Sequence, residues 1–485
     1  MKALRAFVGV SLILALPGCT HYLNAPLGGS GPHSSYRFPA MLGQPDPADE
    51  LFVCLSFSGG GTRAAAFSYG ALLALHDTQI SSRADVAKSL LDEVDCIAGI
   101  SGGAFTAAYY GLFGAATFDN FYRDFLARDI EGELALRAAN PVNLVRLLSP
   151  NFDRIDLAAE LYDETVFKHQ TFAALAARPR PFIMLHATSM ANGGRFRFTQ
   201  DDFDLLRSDL ETFPVARAVA ASSAFPFLLS PLTLESFPTP PGFVLPADIR
   251  NGLKDREGNW ARYAWARARQ DFLNIPPNEA QPPTRKWLHL LDGGLSDNLG
   301  MRSILDAYDR ATGFIGQRIN GGQIKRLVVI AVNARTDPPE QLSRQERAPG
   351  LGEVFMKTAT VSMENLSFDT LDYGVKRVTE RDQAQADIRV CNEKLTACGA
   401  APLPGFAREI RTCFIEIDFD SLPSPDREWF LSLPTTFRLP EASLKKLINV
   451  ARHLLNDSPD YQKLLRALRG EASLGAGVGE TGNCS

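Results

Sequence analysis

The sequence predicts an α/β protein with a largely parallel sheet covered by helices, and three observations carry that expectation. From residue 50 onward, short apolar runs alternate with longer helix-like stretches, the rhythm of strand–helix units feeding one sheet. Three glycine clusters each follow directly on an apolar strand-like run. The composition, 45% hydrophobic and 22% charged, is that of an ordinary globular chain.

Strands are expected at Phe52–Phe57, Val94–Ile100, Pro181–Ala187, Lys286–Leu291, Arg326–Val332 and Thr412–Phe419. Helices are expected at Ala64–His76, Gly103–Phe113, Phe118–Asp129, Val215–Ala221, Asn298–Tyr308 and Glu441–Leu455. Asn192-Gly193-Gly194 reads as a turn into an alternating, half-exposed strand, Arg195–Phe198. The segment 236–285 breaks the rhythm, with prolines from Pro238 to Pro283 interleaved with Trp260, Tyr263, Trp265 and Phe272. It is expected to be a surface flap, a candidate lid or membrane-contacting element, or padding between two strands.

Charge and cysteine usage exclude several function classes. Fifty Lys and Arg stand against 55 Asp and Glu, a net charge of −5, without a long basic run. Binding to nucleic acid, which needs clustered cations, is not expected. No uncharged apolar stretch beyond the N-terminus is long enough for a multi-pass membrane fold. Seven cysteines form no CxxC pair, which argues against a zinc ribbon or a thioredoxin site. No metal cluster is evident, and neither a metal nor a cofactor is expected.

The N-terminus reads as an address. Lys2 and Arg5 precede the apolar run Ala6–Leu16, so residues 1–18 are expected to be an export signal. Leu16-Pro17-Gly18-Cys19 resembles the bacterial lipobox. That resemblance implies lipidation of Cys19, and Thr20 after it implies the outer membrane. An ordinary secretory signal is the alternative. Acyl chains on Cys19 would anchor the protein to the cell envelope without spanning it. Residues 19–48 are expected to be a flexible tether and 466–485 a flexible tail. Cys54 and Cys96 lie in apolar runs and are expected to be buried free thiols. Cys391 and Cys398 are a candidate local disulfide in an oxidising compartment.

The glycine clusters are where chemistry is expected. Ser58-Gly59-Gly60-Gly61-Thr62-Arg63 can present backbone N–H groups at a helix N-terminus to an oxyanion or a phosphate. Gly59, Gly61 and Ala64 also satisfy the loose dinucleotide pattern, so a nucleotide-binding role is an alternative. Gly99-Ile100-Ser101-Gly102-Gly103 is a GxSxG sequence between a strand and a helix, the setting of a strained nucleophile elbow. Asp292-Gly293-Gly294 ends another strand, where α/β folds place functional groups.

In this order the three clusters resemble the patatin-like phospholipase family. Two further runs extend the resemblance, Ala221-Ser222-Ser223-Ala224-Phe225-Pro226 and Leu433–Pro440. It covers roughly residues 50–465, and Ser58 stands where plant patatins have Asp. The resemblance implies a three-layer α/β/α fold with a mainly parallel central sheet. It also implies a Ser–Asp dyad in place of a Ser–His–Asp triad: Ser101 as nucleophile and Asp292 as its base. Gly59, Gly60, Gly61 and Gly102 would form the oxyanion hole, and Arg63 would bind an anion or brace the loop. Burial should raise the pKa of Asp292 enough for it to act as a base.

The activity implied is lipid acyl hydrolysis of the phospholipase A, lysophospholipase or esterase type. An acyltransferase, or a catalytically inactive lipid-binding envelope protein, is the alternative. The expected partners are a phospholipid or other acyl-ester lipid and, through the anchor, a membrane. Of the seven histidines only His453 follows Asp292; it is expected on a surface or in packing, and His289 in the core. Motifs spread from Gly59 to Asp292 must meet in one site. One large domain, 49–465 with the insertion 236–285, is therefore expected, although the length alone suggests about three domains.

Overall fold

The computed structural model describes residues 24–28, 36–42, 50–81, 87–178, 180–226, 228–275, 285–309, 313–337, 346–403, 410–469 and 484. The expected signal, Cys19 and most of the C-terminal tail lie outside the described residues.

One mixed sheet organises the chain. Its strands are β1 (Leu51–Phe57), β2 (Val94–Gly99), β3 (Phe182–Ser189), β4 (Arg195–Arg197), β5 (Leu232–Glu235), β6 (Trp287–Asp292), β7 (Arg326–Val332) and β8 (Arg411–Ile417). They lie in the order β8-β7-β1-β2-β3-β6-β5, with β4 added on β3. The block from β8 to β3 is parallel, whereas β4, β5 and β6 join through antiparallel pairs. β2 and β3 are buried along their whole length, and β1 except at Leu51. Such near-continuous apolar runs belong to strands covered on both faces. Asp95 is the polar exception in β2; its carboxylate accepts the Val53 N–H at 2.8 Å and lies 3.3 Å from Arg180.

The helices that matter for the site are α1 (Gly61–Asp77), α2 (Gly102–Phe113), α3 (Val215–Ser222), α4 (Trp260–Gln270), α5 (Gly294–Asp297), α6 (Arg302–Asp309), α7 (Leu351–Ala397) and α8 (Glu441–Asp457). α1 is buried nearly all round, as expected of a core helix rather than a surface one. At Gly70 it comes so close to α8 that a Cβ would run into the carbonyl of Ile448.

All six expected strands and the alternation of elements are present. The stretch expected as a helix over Phe118–Asp129 starts at Thr117 and passes into a π-wound turn, Tyr122–Leu126. The insertion 236–285 is the excursion between the antiparallel partners β5 and β6, and it carries α4. Its described ends are tied together: Ser236 Oγ donates to Phe272 O (2.9 Å) and Asn274 Nδ2 donates to Ser236 O (2.7 Å). Two pieces of the expected tether are packed instead of free: in the first, Asn24 Nδ2 donates to Ser208 Oγ and the Leu27 N–H to Arg207 O, each at 2.8 Å. Tyr36, Phe38, Met41 and Leu42 are buried, and the Tyr36 hydroxyl donates to Ile183 O at 2.8 Å. The Gly/Pro/Ser average of that segment hides these four apolar side chains.

The cysteines need two corrections. Cys54 and Cys96 form a disulfide, because the parallel register of β1 and β2 sets them side by side with Cα atoms 4.7 Å apart. Cys391 and Cys398 are free and exposed. Both belong to the end of one helix, where seven residues rise about 10 Å, beyond the span of a disulfide. Cys413 pairs with Cys484.

Among the described residues no helix is long and apolar enough to cross a membrane.

Candidate active site

The sheet register brings the serine and aspartate motifs to one level. β2 pairs with β3 so that Gly99 faces Leu185, and β6 pairs with β3 so that Asp292 faces Ala187. Two residues beyond Gly99 the chain reaches Ser101, level with Asp292 across β3. Because β6 runs antiparallel, Asp292 arrives from the opposite direction to Ser101. Asp292 ends its strand as expected, and a register match between opposed strands brings it to the level of Ser101.

Ser101 has φ +48° and ψ −116° and caps α2, a strained setting for a non-glycine residue. The surroundings over-determine it. Its N–H donates to Ser222 Oγ at 2.9 Å. A Cβ on Gly102 would run into the Gly61 carbonyl, and one on Gly103 would lie 2.6 Å from the Phe57 and Ser58 carbonyls. The glycines after the serine let the elbow pack backbone to backbone against the first glycine loop.

In that loop, Gly60 and Gly61 have positive φ, +137° and +59°, which only glycine adopts without strain. Gly59 donates its N–H to Asn298 O at 2.9 Å. Its amide is committed to holding the loop, which corrects its expected place as an oxyanion donor. The amides of Gly60, Gly61 and Gly102 have no acceptor among the described residues. They stand at the N-termini of α1 and α2, where the helix dipoles favour negative charge.

Arg63 lies behind the loop, 2% exposed. Its Nε donates to Ala334 O at 3.0 Å and its Nη1 to Leu433 O at 2.8 Å. Nη2 is 2.6 Å from where a Cβ on Gly60 would sit. No carboxylate among the described residues pairs with it, and burial pulls its pKa down to about 9. Of the two expected readings, the geometry fits a brace and a buried source of positive potential. The Leu433–Pro440 run reinforces the same loop, since Thr436 O accepts the Thr62 N–H at 2.8 Å.

Asp292 is 2% exposed. Its Oδ1 accepts the Gly294 N–H at 2.8 Å, and the Ser101 hydroxyl is a second donor acting on its carboxyl. Burial pushes its pKa up to about 7, against the pull of those two donors. Its backbone is pinned as well: its N–H donates to Ala224 O (3.0 Å), and its carbonyl accepts from Thr188 Oγ1 (2.7 Å).

No histidine among the described residues joins the pair. His453 is exposed on α8, and His289 is exposed on β6 with Nδ1 2.9 Å from Thr233 Oγ1, not in the core. His186 is buried 2.8 Å from Ser303 Oγ, and burial, with Arg195 and Arg197, holds its pKa well below the usual imidazole range. Among the described residues no cluster of His, Cys, Asp and Glu has the make-up of a metal site.

Sequence reasoning missed Ser222, Thr188 and Asn298. Ser222 sat in a run singled out only by resemblance, and the other two had no motif around them.

A strand–serine–helix elbow beside a buried aspartate, on a mostly parallel sheet, defines an α/β protein of the nucleophile-elbow class. Residues 55–305, just over half of the chain, match the family model for patatin-like phospholipase, and the chain belongs to that family. No curated protein matches the sequence. Among solved structures it is similar to human GIVD cytosolic phospholipase A2, at 14% identity and TM-score 0.39 over 87% of this chain and 60% of that one. The same human protein in complex with methyl gamma-linolenyl fluorophosphonate and terbium chloride matches at 15% identity and TM-score 0.35, over the same shares of 87% and 60%. VipD from Legionella pneumophila matches at 11% identity and TM-score 0.25, over 91% of this chain and 73% of that one. The chain therefore spans about 60% of the length of the human protein it matches.

Proposed function

We propose that this chain hydrolyses carboxylic ester bonds of membrane lipids through Ser101 and Asp292. The observation that carries the reading is the strained Ser101 held beside a buried carboxyl whose pKa of about 7 suits a general base. Ser101 Oγ attacks the ester carbonyl carbon as its proton passes to the Asp292 carboxylate. The oxyanion that forms is held by the N–H groups of Gly60, Gly61 and Gly102, with the Arg63 charge behind them. As the C–O bond breaks, Asp292 returns the proton to the departing alkoxide, leaving an acyl ester on Ser101. Asp292 then takes a proton from water, which attacks that ester. The proton goes back to Ser101, and the fatty acid leaves.

A lipid surface as the source of substrate is supported by α7. Its inner side places Met363 against Gly294, while Leu351, 91% exposed, with Val354, Phe355 and Met356 leaves apolar side chains in solvent. Lipidation at Cys19 would hold the enzyme at an envelope membrane. The two disulfides are in keeping with an oxidising compartment outside the cytoplasm.

The test is hydrolysis of p-nitrophenyl acyl esters and of phospholipid vesicles by Ser101→Ala, Asp292→Asn and His453→Ala. Both dyad variants should lose turnover, and His453→Ala should keep it. Retained turnover in the first two, or loss in the third, overturns the dyad. Mass-spectrometric mapping of a fluorophosphonate adduct should place it on Ser101.

A further inference from the structure

A cavity of about 640 Å³ lies between the Asn192–Arg195 turn, α4, α6 and α7, with Ser296 of α5 in its wall. Its size suits a small polar ligand. Its wall carries five arginines, Arg195, Arg262, Arg269, Arg302 and Arg377, against two carboxylates, Asp306 and Asp369. Most of these arginines are held by acids. Arg195 pairs with Asp306, Arg269 with Asp202, Arg262 with Asp255 (3.2 Å) and Arg377 with Glu380 (2.8 Å).

Arg302 is held differently. Its N–H donates to Asp297 Oδ2 at 2.9 Å, and its Nε donates to Thr370 Oγ1 of α7 at 2.8 Å. Its two terminal nitrogens have no hydrogen-bond partner among the described residues. The guanidinium is thus locked by its Nε, with its fork left over at the cavity wall.

We propose that this cavity binds a phosphate-bearing polar molecule, gripped by Arg302 and Arg377. A guanidinium fork without a paired acid among the described residues, set in a partly desolvated wall, calls for an anion. An arginine fork held in place matches a phosphate in bidentate fashion. Ser296 contributes a hydroxyl to the wall. It also connects the cavity to the reactive acid: Ser296 Oγ lies 2.9 Å from Thr188 Oγ1, which donates to Asp292 O. The binding itself does not depend on the ester-hydrolysis reading.

The phosphate could be carried by a soluble molecule or by a lipid headgroup, and the experiment has an arm for each. The full chain is titrated with pyrophosphate by calorimetry, and its co-sedimentation is measured with phosphatidylcholine vesicles with and without phosphatidylinositol phosphate. Saturable pyrophosphate binding without vesicle selectivity supports a soluble ligand. Selective sedimentation with the phosphoinositide supports a headgroup. In either case Arg302→Gln and Arg377→Gln should weaken binding at least about tenfold. Arg377→Gln keeps the test alive if Arg302→Gln does not fold, since Arg377 pairs within its own helix. Binding in neither arm, or binding unchanged in both folded variants, overturns the proposal.

Discussion

Ser222 Oγ accepts the backbone N–H of Ser101 at 2.9 Å, and the Ser222 carbonyl accepts the N–H of Gly293 at 3.1 Å. One residue at the end of α3 therefore sets both the strained serine and the loop of its aspartate. Ser222→Ala leaves the buried Ser101 N–H without an acceptor, at a cost of about 1–3 kcal/mol. We expect kcat to fall about tenfold with KM little changed, since the loss acts on the orientation of the nucleophile. Ser222→Thr, which keeps the hydroxyl, should restore most of it. Steady-state kinetics and thermal unfolding of both variants check this; a lowered Tm with unchanged kcat would reduce Ser222 to a structural role.

Gly102 and Gly61 touch backbone to backbone, so Gly102→Ala forces the elbow and the oxyanion loop apart. The strain should cost about 1–3 kcal/mol of stability. Displacing even one oxyanion donor should lower kcat by about 10²–10³. The contrasting variant is Gly352→Ala in α7, where a Cβ meets nothing within 4 Å. It should keep full activity and gain up to about 1 kcal/mol from helix propensity. Equal behaviour of the two variants in urea melts would contradict the packing argument.

Arg63 is a buried cation that joins three distant stretches of chain through the carbonyls of Ala334 and Leu433. A lysine is a single point donor and cannot span both acceptors. Arg63→Met should cost about 1–3 kcal/mol and slow fluorophosphonate labelling of Ser101 by more than about tenfold, because the positive potential behind Gly60 disappears. Arg63→Lys should fall between. Wild-type labelling rates in the methionine variant would remove Arg63 from the oxyanion environment.

Much of the site was legible because strand–glycine–helix junctions leave a local signature. Gly59–Gly61 and Gly99–Gly103 could be placed on their turns from neighbouring residues alone. What was not legible depends on register. The antiparallel approach of Asp292, the Ser222 tether and the Cys54–Cys96 bond all require knowing which residues face each other across strands. α7 was missed for another reason: its buried positions are only Ser367, Thr370, Gly374 and Val378, so it has no apolar stripe to reveal its period. The Gly59 amide looked like its neighbours in sequence, and only the carbonyl of Asn298 separates it from them.

The cysteine pairing can be read chemically. Treatment of the folded, unreduced protein with a maleimide should label the peptides carrying Cys391 and Cys398, which are exposed and free. Cys54, Cys96, Cys413 and Cys484 should label only after reduction and unfolding. Replacing Cys413 and Cys484 with serine should lower stability by about 2–4 kcal/mol, as the loss of a long closed loop does. Peptide mapping that finds Cys391 joined to Cys398 would overturn this assignment.

Asp292 gives the activity and the stability opposite dependences on pH. As a base it must be ionised, so kcat/KM should rise with pH and level off above about 7, where its carboxyl titrates in the folded protein. In the unfolded chain the same group titrates near 3.9. The folded state thus holds the proton more tightly. The stabilisation this gives is complete below about pH 4 and is lost as the pH climbs through about 7. Above that the folded protein carries the whole cost of a buried carboxylate, on the order of a few kcal/mol. Asp292→Asn keeps the shape and removes the charge. It should be inactive at every pH and more stable than the parent at about pH 8, with the difference vanishing near pH 4. Paired pH–rate profiles and urea melts decide it. A parent enzyme whose activity is flat from about pH 5 to 9, or an asparagine variant less stable at high pH, would mean that Asp292 is not the titrating base.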